Sequence, residues 1–471
     1  MEKPLAGKYY KEKWFGVLVS FFLFFVLLCF DYSTSMLGVY SGVNLLVNKH
    51  VRPFYLKDSC FGRYIYIHDD LPTRFNYDLL ANCQSLSTGS KALSDQGANT
   101  GDNMCPHLVN SGLGPQIGKP GKVLANKSWF ITNPYLLEVI FHNKMKTYKC
   151  LTNNSNLASA IYVPSYTGLD ASRHLWDFDH NVRDADHFFV SGRTSWDFRR
   201  PDNGSDWGTN LRFLPGSMNM SMLSVEGSCW RNDLAIPYPT NFHPSNDSEV
   251  VQWQNRVKKY KRPHLFSFIG APRPGMQKSI RGKLINQCQA SNNCKFVHCG
   301  SPGINCNDPV TVMRVFEKSV YCLQPPGDSH TRRSAFDSLL AGCIPVFFHP
   351  ATAYTQYLWH LPEKHTKYSV FIPVKEVEDL KEGMIEKTLL RISEERELAM
   401  REEVIRLIPK LVYADPRSRL ESEDAFDLAV QGVLERIENV RKVIREGKDP
   451  SVGFADEDWT KFMFPEAPEE Y

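Results

Sequence analysis

The clearest hydrophobic pattern lies between residues 264 and 348, where short apolar runs alternate with amphipathic ones. Three runs have strand length and are rich in β-branched or aromatic residues: HLFSFIG (264–270), SVYCLQ (319–324) and IPVFF (344–348). The segments 276–288 and Thr331 to Leu340 have helical spacing, and Gly342 is a typical helix stop. This order of strand, helix and strand predicts a parallel sheet with crossover helices.

A similar but weaker alternation runs from about residue 60 to residue 240. Strands are predicted within 60–72, 157–166 and 187–191. Near the C-terminus, a charged helix is predicted at 393–412 and an amphipathic helix at 424–445. We therefore expect two α/β lobes in series. Because open α/β sheets bind ligands beyond the carboxyl ends of their strands, the loops after Ile269 and Gln324 are the expected ligand site.

An uncharged apolar segment runs from Trp14 to Phe30 and is preceded by lysines. Its length is at the short end of what crosses a bilayer, and the basic flank predicts a cytosolic N-terminus with the rest of the chain in the lumen. A short span suits the thinner membranes of the early secretory pathway. The alternative is a cleaved signal peptide, although Ser33-Thr34-Ser35 is a poor cleavage site.

Composition and charge exclude several classes of protein. Hydrophobic residues make up 42% and charged residues 23% of the 471 residues. These values are typical of a globular protein and exclude a disordered, collagen-like or multi-span membrane protein. The net charge of +3 gives no electrostatic argument for a nucleic-acid partner.

Cysteines and sequons agree with an oxidising compartment. Cys288, Cys294, Cys299 and Cys306 lie close together without a C-x-x-C pair, so local disulfides are favoured over a zinc site. Cys343, at the start of an apolar strand, is a candidate buried free thiol. N-glycosylation sequons occur in the first half of the chain, at Asn126, Asn153, Asn203, Asn219 and Asn246.

The densest chemistry is in QPPGDSHTRRSAFDSLLAGCIPVFF (324–348). Its loop places Gly327 and Ser329 at a helix N-terminus, where backbone donors favour a phosphate. Arg332 and Arg333 add forked donors for a pyrophosphate, although a solvated helix face would also explain them. In the same way, the loop GAPRPG (270–275) brings Gly270 and Arg273 to a possible phosphate site.

This segment resembles the plant exostosin-like glycosyltransferases of family GT47, in the xyloglucan galactosyltransferase branch. The resemblance spans about 62–447 and includes further motifs: FIGAPRPGMQKSIRG, RDADHFFVSGR (183–193), DWGTN (206–210), AIPYPTNFHP (235–244) and LIPKLVYADPR (407–417). It implies a GT-B fold, with two Rossmann-like lobes facing a cleft, and a Golgi type II topology. It also implies β-galactosyl transfer from UDP-galactose to O2 of xylose side chains in xyloglucan.

The domain organisation expected from pattern and resemblance has six parts. These are a cytosolic tail (1–13), a transmembrane signal anchor (14–30), a stem (31–57), an N-terminal acceptor-binding lobe (58–255), a C-terminal nucleotide-sugar-binding lobe with closing helices (256–447) and an acidic tail (448–471).

The resemblance also suggests roles for individual residues. Asp337 matches the acid that precedes the family motif GCIPV and is the ribose-contact candidate. Many relatives have an arginine where this chain has Ser334, so Arg332 and Arg333 are alternatives for the pyrophosphate. An inverting displacement needs one base and a cationic environment for the departing UDP, and arginines could supply the latter without a metal.

The base and the acceptor groove have their own candidates. Asp186 or His187, in the family's Asp-His-Phe-Phe element, is the candidate base, although such a pair is often structural. His68, Asp69 and Asp70, at the end of the first predicted strand, are second candidates for the base, and His68 and Asp69 are also candidates for binding the acceptor. Trp196 and Trp207 are candidates for lining the polysaccharide groove. The two D-x-D triplets at 177–179 and 184–186 do not follow a convincing nucleotide-binding strand, so no metal site is expected.

Three alternatives remain open from sequence. A related transferase could use UDP-galacturonate or a UDP-pentose on the same polymer. A catalytically silent luminal protein could organise other Golgi glycosyltransferases. A glycoside hydrolase would need two facing carboxylates and would not explain the phosphate-type loops. The expected partners are a UDP-sugar, xyloglucan and the Golgi membrane.

Overall fold

The computed structural model describes residues 58–85, 104–118, 121–124, 127–170, 186–200, 208–228, 230–273, 279–378 and 383–450. The chain divides into two compact units, 1–61 and 62–471, and the elements below all belong to the second. The predicted membrane span (14–30) and stem (31–57) lie outside the described residues. Among the residues that the structure describes, which begin at residue 58, no helix has both the length and the apolarity that crossing a bilayer requires.

The described strands form two five-stranded sheets. Their bounds are β1 Ile65–Ile67, β2 Ala160–Tyr162, β3 His187–Thr194, β4 Ser221–Glu226, β5 Asp233–Ala235, β6 His264–Gly270, β7 Cys294–His298, β8 Ser319–Gln324, β9 Ile344–Phe347 and β10 Val370–Phe371. The first sheet has the order β1-β2-β3-β4-β5 and the second β10-β9-β8-β6-β7. Every pairing is parallel. The two parallel sheets confirm the predicted GT-B class of two α/β lobes.

Helices connect and cover these strands. The described α-helices are α1 Tyr77–Ala81, α2 Gly121–Leu124, α3 Leu137–Met145, α4 Pro215–Met218, α5 Asp247–Lys259, α6 Arg281–Gln289, α7 Pro309–Phe316, α8 Arg333–Leu340, α9 Val374–Glu378, α10 Met384–Leu390, α11 Glu394–Leu411 and α12 Ala425–Arg445. The helices expected at 393–412 and 424–445 correspond to α11 and α12.

Helix α5 (Asp247–Lys259) follows the strands of the first sheet and precedes those of the second. The side chain of Asn246 caps its N-terminus by accepting a hydrogen bond from the Glu249 amide at 3.1 Å. One face, with Val250, Trp253 and Val257, is buried. The Trp253 indole donates to the Leu340 carbonyl at 2.8 Å and packs edge-on against Trp129. Thus α5 is part of the hydrophobic core.

The last helix packs on the first lobe although it follows the second lobe in sequence. Phe426 packs against Phe141 with ring centroids 4.7 Å apart. The Arg436 side chain donates to the Ser221 hydroxyl at 3.0 Å. At the helix start, Asp424 forms a capping box and a buried 2.7 Å salt bridge to Lys144. The predicted lobe boundary at 255/256 stays a prediction.

All cysteines in the described residues are disulfide-bonded. The pairs Cys288–Cys294 and Cys299–Cys306 confirm the predicted local disulfides, and Cys83 pairs with Cys105. The prediction that Cys343 is a free thiol is wrong, because it bonds to Cys322. Strands β8 and β9 are hydrogen-bonded neighbours, which brings the two Cα atoms to 5.9 Å.

We expect the Cys322–Cys343 disulfide to stabilise the second lobe by restricting the unfolded chain. Replacing both cysteines by alanine should lower the free energy of unfolding by about 3 kcal/mol. Removing Cys299–Cys306 should cost about 1 kcal/mol less, because its sequence separation is 7 residues against 21. Urea denaturation of the two double variants tests this order, and the reverse order would contradict it.

Candidate functional site

The order of the second sheet places a ligand site between β6 and β8. From β6 the chain continues to β7, at one edge of the sheet. It then returns to β8, on the other side of β6, and continues outward to β9 and β10. The connections therefore reverse direction between these two adjacent strands, which opens a crevice at their carboxyl ends. The two loops predicted from sequence, after Ile269 and after Gln324, both lie at this point.

Three arginines converge on these loops. The guanidinium of Arg273 contacts the Asp328 carboxylate at 3.2 and 3.4 Å. Arg332 contacts the same carboxylate at 3.1 Å. Arg281, in the first turn of α6, donates to the Pro326 carbonyl at 3.1 Å. Burial, and then the charges of Arg332 and Arg273, lower the pKa of Arg281 to about 10.

Glycine at two loop positions lets the backbone approach closely. A side chain at Gly327 would occupy the space of the Arg332 guanidinium, and one at Gly270 would collide with the Phe268 ring. The Gly327 amide donates to the Ser329 carbonyl at 2.9 Å. Helix α8 begins directly after this loop, and its N-cap residue, Arg332, makes no side-chain cap hydrogen bond. The loop and the helix terminus together form a site suited to an anion.

The two neighbouring arginines of the motif have different surroundings. Arg332 belongs to the three-arginine cluster and contacts Asp328. Arg333 instead pairs with Asp337 at 3.2 Å and donates to the Thr132 carbonyl of the first lobe at 3.1 Å. Asp337 is buried, and burial raises its pKa despite the opposing charge of Arg333. Its Oδ1 atom accepts no hydrogen bond from the described residues. The ribose contact predicted for Asp337 stays a prediction.

The carboxyl end of β4 meets the loop that follows β8 in the second lobe (residues 325–332), which we call the donor loop; together with the loop after β6 it forms the donor loops. The amide of Thr331 donates to the Glu226 carboxylate at 2.5 Å. Beside it, the Gly227 amide donates to the Gln356 side chain at 2.8 Å, and the Tyr357 hydroxyl donates to the Val225 carbonyl at 2.7 Å. The carboxyl ends of both sheets therefore face each other across this contact.

The predicted catalytic pair lies elsewhere in the first lobe. Asp186 accepts from His187 at 3.0 Å and from Arg441 of α12 at 2.9 Å. The hydrogen bond from His187 comes first among the causes that lower the Asp186 pKa to about 2. This pair sits at the start of β3, whereas Thr194 at its end neighbours Glu226. An eight-residue strand spans about 25 Å. The catalytic role of the pair therefore stays a prediction, and the geometry does not favour it.

Two predicted acceptor residues lie beside this pair. The ring centroids of His68 and His187 are 6.4 Å apart, and Asp69 accepts a hydrogen bond from Tyr66. The structure thus joins His68 and Asp69 to the predicted catalytic pair, but not to the arginine cluster.

An aromatic surface lies at the carboxyl edge of the first sheet. Trp196 follows β3 and Trp230 follows β4, and both pack against Ala351 of the second lobe. The Arg199 guanidinium stacks 3.9 Å from the centre of the Trp230 ring. Phe213, whose side chain is exposed, lies edge-on to Trp230. We call Trp196, Phe213 and Trp230 the aromatic platform.

The remaining predicted positions are surface features or lie outside the description. Asn153 and Asn246 are exposed and Asn219 is partly exposed, while Trp207, Asn126 and Asn203 lie outside the described residues. All five sequons stay predictions.

A cavity of about 1070 Å³ lies along α12, and no residue of the donor loops lines it.

Sequence reasoning did not identify Arg281, Glu226, Phe213 or Trp230 as site residues. Arg281 lies inside the motif FIGAPRPGMQKSIRG. Only the folded structure, in which it donates to the Pro326 carbonyl, shows that it points toward the loop after β8. A signal for Glu226 exists in SMLSVEGS, where an acid and a glycine end an apolar strand.

The domain family that matches this chain and the named relatives below are all glycosyltransferases. The exostosin GT47 domain model matches residues 59–387. The probable xyloglucan galactosyltransferase GT14 of Arabidopsis thaliana is 50% identical, over 93% of this chain and 92% of that protein. The xyloglucan galactosyltransferase MUR3 of the same plant is 48% identical, over 87% and 68% respectively. The xyloglucan-specific galacturonosyltransferase 1 is 39% identical, over 80% and 58%.

The arginine cluster predicts that Arg281 contributes to binding a diphosphate. Arg281→Met should weaken UDP binding by about 1.5 to 3 kcal/mol, since a charge-assisted hydrogen bond is lost, which is roughly 10- to 150-fold in Kd. Calorimetric titration with UDP measures this, and Arg391→Met, an exposed arginine that follows α10, is the control. Unchanged UDP affinity in the Arg281 variant would remove this arginine from the site.

Proposed function

Because the chain belongs to the exostosin GT47 family, we propose that it is a Golgi glycosyltransferase that transfers galactose from UDP-galactose to O2 of xylose side chains in xyloglucan. The observation that carries the donor assignment is the convergence of Arg273, Arg281 and Arg332 on the switch point of the second sheet. The names of the relatives at 48–50% identity support galactose and xyloglucan.

The geometry suggests how these residues act. In the transfer, the bond between the galactosyl C1 and the diphosphate oxygen breaks, and negative charge develops on the departing UDP. Guanidinium groups of fixed orientation stabilise that charge. Displacement of the Asp328 carboxylate would free Arg273 and Arg332 to bind the diphosphate. We propose that no metal is needed for this step.

The acceptor would lie on the side of the first lobe. The aromatic platform lies at the carboxyl edge of the first sheet, beside Ala351 of the second lobe, and aromatic rings of this kind suit the sugar rings of a glucan backbone. Trp196 keeps its predicted acceptor role in this proposal. We further propose that the apolar segment 14–30 holds the protein in the Golgi membrane with residues 58–471 in the lumen.

A uronate donor is the second candidate, because a galacturonosyltransferase is among the relatives. Purified full-length protein in detergent should be incubated with UDP-galactose, UDP-galacturonate or a UDP-pentose, and with xylosylated glucan oligosaccharides, with and without EDTA. We expect galactose incorporation that EDTA does not abolish. Preferred incorporation of another sugar would change the donor, and absence of any transfer would favour a silent assembly protein. Release of sugars from the oligosaccharide would instead indicate a hydrolase.

The acceptor proposal predicts a specific kinetic effect at Trp230. Trp230→Leu should raise the KM for xyloglucan oligosaccharide by about tenfold, as expected when a central aromatic contact is lost. It should leave kcat nearly unchanged, because stacking stabilises ground state and transition state alike. Leu358→Ala is the control, since Leu358 is an exposed apolar residue of the second lobe. An unchanged KM with normal folding would exclude Trp230 from the acceptor groove.

A further inference from the structure

The proposed transfer requires a base that the donor loops do not supply. An inverting displacement needs a group on the acceptor side that removes the hydroxyl proton as the oxygen attacks. That group must lie close to the bond that breaks, and therefore close to the diphosphate loop. It should also come from the lobe that faces that loop.

Glu226 occupies such a position. It ends β4, and Thr194, at the end of β3, is its neighbour in the first sheet. Its Oε2 atom accepts the hydrogen bond from the Thr331 amide at 2.5 Å, two residues after Ser329 in the donor loop. This hydrogen bond directly joins a carboxylate of the first lobe to the donor loop.

The surroundings of Glu226 suit a proton acceptor. Its side chain is buried, and its Oε1 atom accepts no hydrogen bond from the described residues. Burial raises its pKa to about 7, against the lowering effects of the Thr331 amide, the Ser329 hydroxyl and the Arg332 charge. The other titratable groups that act on it are the buried phenols of Tyr238 and Tyr357.

Other candidates fit less well. Asp328 is exposed and is paired with Arg273 and Arg332. Asp186, with its pKa lowered to about 2, is a weak base at the opposite end of β3. His330 belongs to the donor lobe, where it stacks on His349. Burial lowers its pKa to about 4, which makes it a weaker base than Glu226 at neutral pH.

We propose that Glu226 is the general base of the galactosyl transfer and that its unpaired Oε1 atom receives the acceptor hydroxyl. This role rests on the proposed function. The carboxylate takes the proton of the acceptor hydroxyl while that oxygen forms a bond to C1 of the galactosyl group. The bond from C1 to the diphosphate oxygen breaks, and its electron pair leaves with UDP. Glu226 is then neutral and returns the proton to solvent after the product leaves.

The variant Glu226→Gln tests the role with little change in shape, because its amide oxygen can still accept from Thr331. We expect kcat to fall by about 10²- to 10⁴-fold, with UDP affinity in calorimetry and melting temperature nearly unchanged. In the wild type, kcat/KM should rise as the pH increases through about 7, because the base must be ionised. That acid limb should be absent from the residual activity of the variant.

Glu317→Gln is a matched control. Burial also raises the pKa of Glu317 to about 7, but this carboxyl interacts with Tyr260 and lies outside the donor loops. Its variant should keep the wild-type kcat and acid limb. If Glu226→Gln does not fold, Glu226→Asp keeps the carboxylate but shortens its reach, and it should lower kcat while retaining the acid limb.

The outcomes separate the two proposals. If the wild type transfers galactose and Glu226→Gln does so at the same kcat, Glu226 is not the base, although the proposed function stands. A weaker affinity for UDP with unchanged kcat would make Glu226 a support of the donor loop instead, and would also overturn the proposal. If the wild type transfers no galactose, the proposed function fails and the role of Glu226 fails with it.

Discussion

Mutual repulsion among three guanidinium groups is the constraint on which the donor site depends. Arg273 and Arg281 come from the connection between β6 and α6, Arg332 comes from the end of the loop after β8, and all three contact that loop. Like charges brought together in a partly buried site are unfavourable unless an anion balances them. Here the Asp328 carboxylate contacts Arg273 and Arg332, and the Pro326 carbonyl accepts a hydrogen bond from Arg281. The parallel order of the second sheet makes this convergence possible, because it leaves an open crevice between the ends of β6 and β8.

The contact between the lobes gives this crevice its second wall. Glu226, Gly227 and Val225 at the end of β4 each exchange a hydrogen bond with the second lobe. The return of α12 to the first lobe adds a further connection, through the packing of Phe426 on Phe141. An acceptor bound on the first lobe would therefore meet the donor loop at a fixed position, which is the condition for an in-line displacement.

Local patterns predicted the second lobe better than the first. Strands β6, β8 and β9 are mainly apolar runs, and every residue of β8 and β9 is buried. Such runs are visible without a structure. Strands β1 and β2 lie within the predicted segments 60–72 and 157–166, but each contains only three residues, too few for the pattern to set its bounds. Strands β4 and β5 were not predicted. The Cys322–Cys343 pair was missed because pairing of β8 with β9 is a tertiary fact. Arg281 and Glu226 were missed for the same reason, since each becomes a site residue only through a contact with a loop distant in sequence.

Solvent exposure distinguishes Arg273 and Arg332, which could exchange Asp328 for a ligand, from Arg333, which stabilises the fold. The Asp328 side chain is 54% exposed, and its partners Arg273 and Arg332 are 31% and 28% exposed. Ion pairs this open to solvent contribute only about 0 to 1 kcal/mol, so a diphosphate could displace Asp328 at small cost. By contrast, Arg333 and Asp337 are 14% and 4% exposed, and Arg333 also binds the first lobe. Breaking such a buried pair leaves an uncompensated charge. The sequence Arg332-Arg333 therefore combines one exchangeable cation with one structural cation, although the two residues are adjacent and chemically identical.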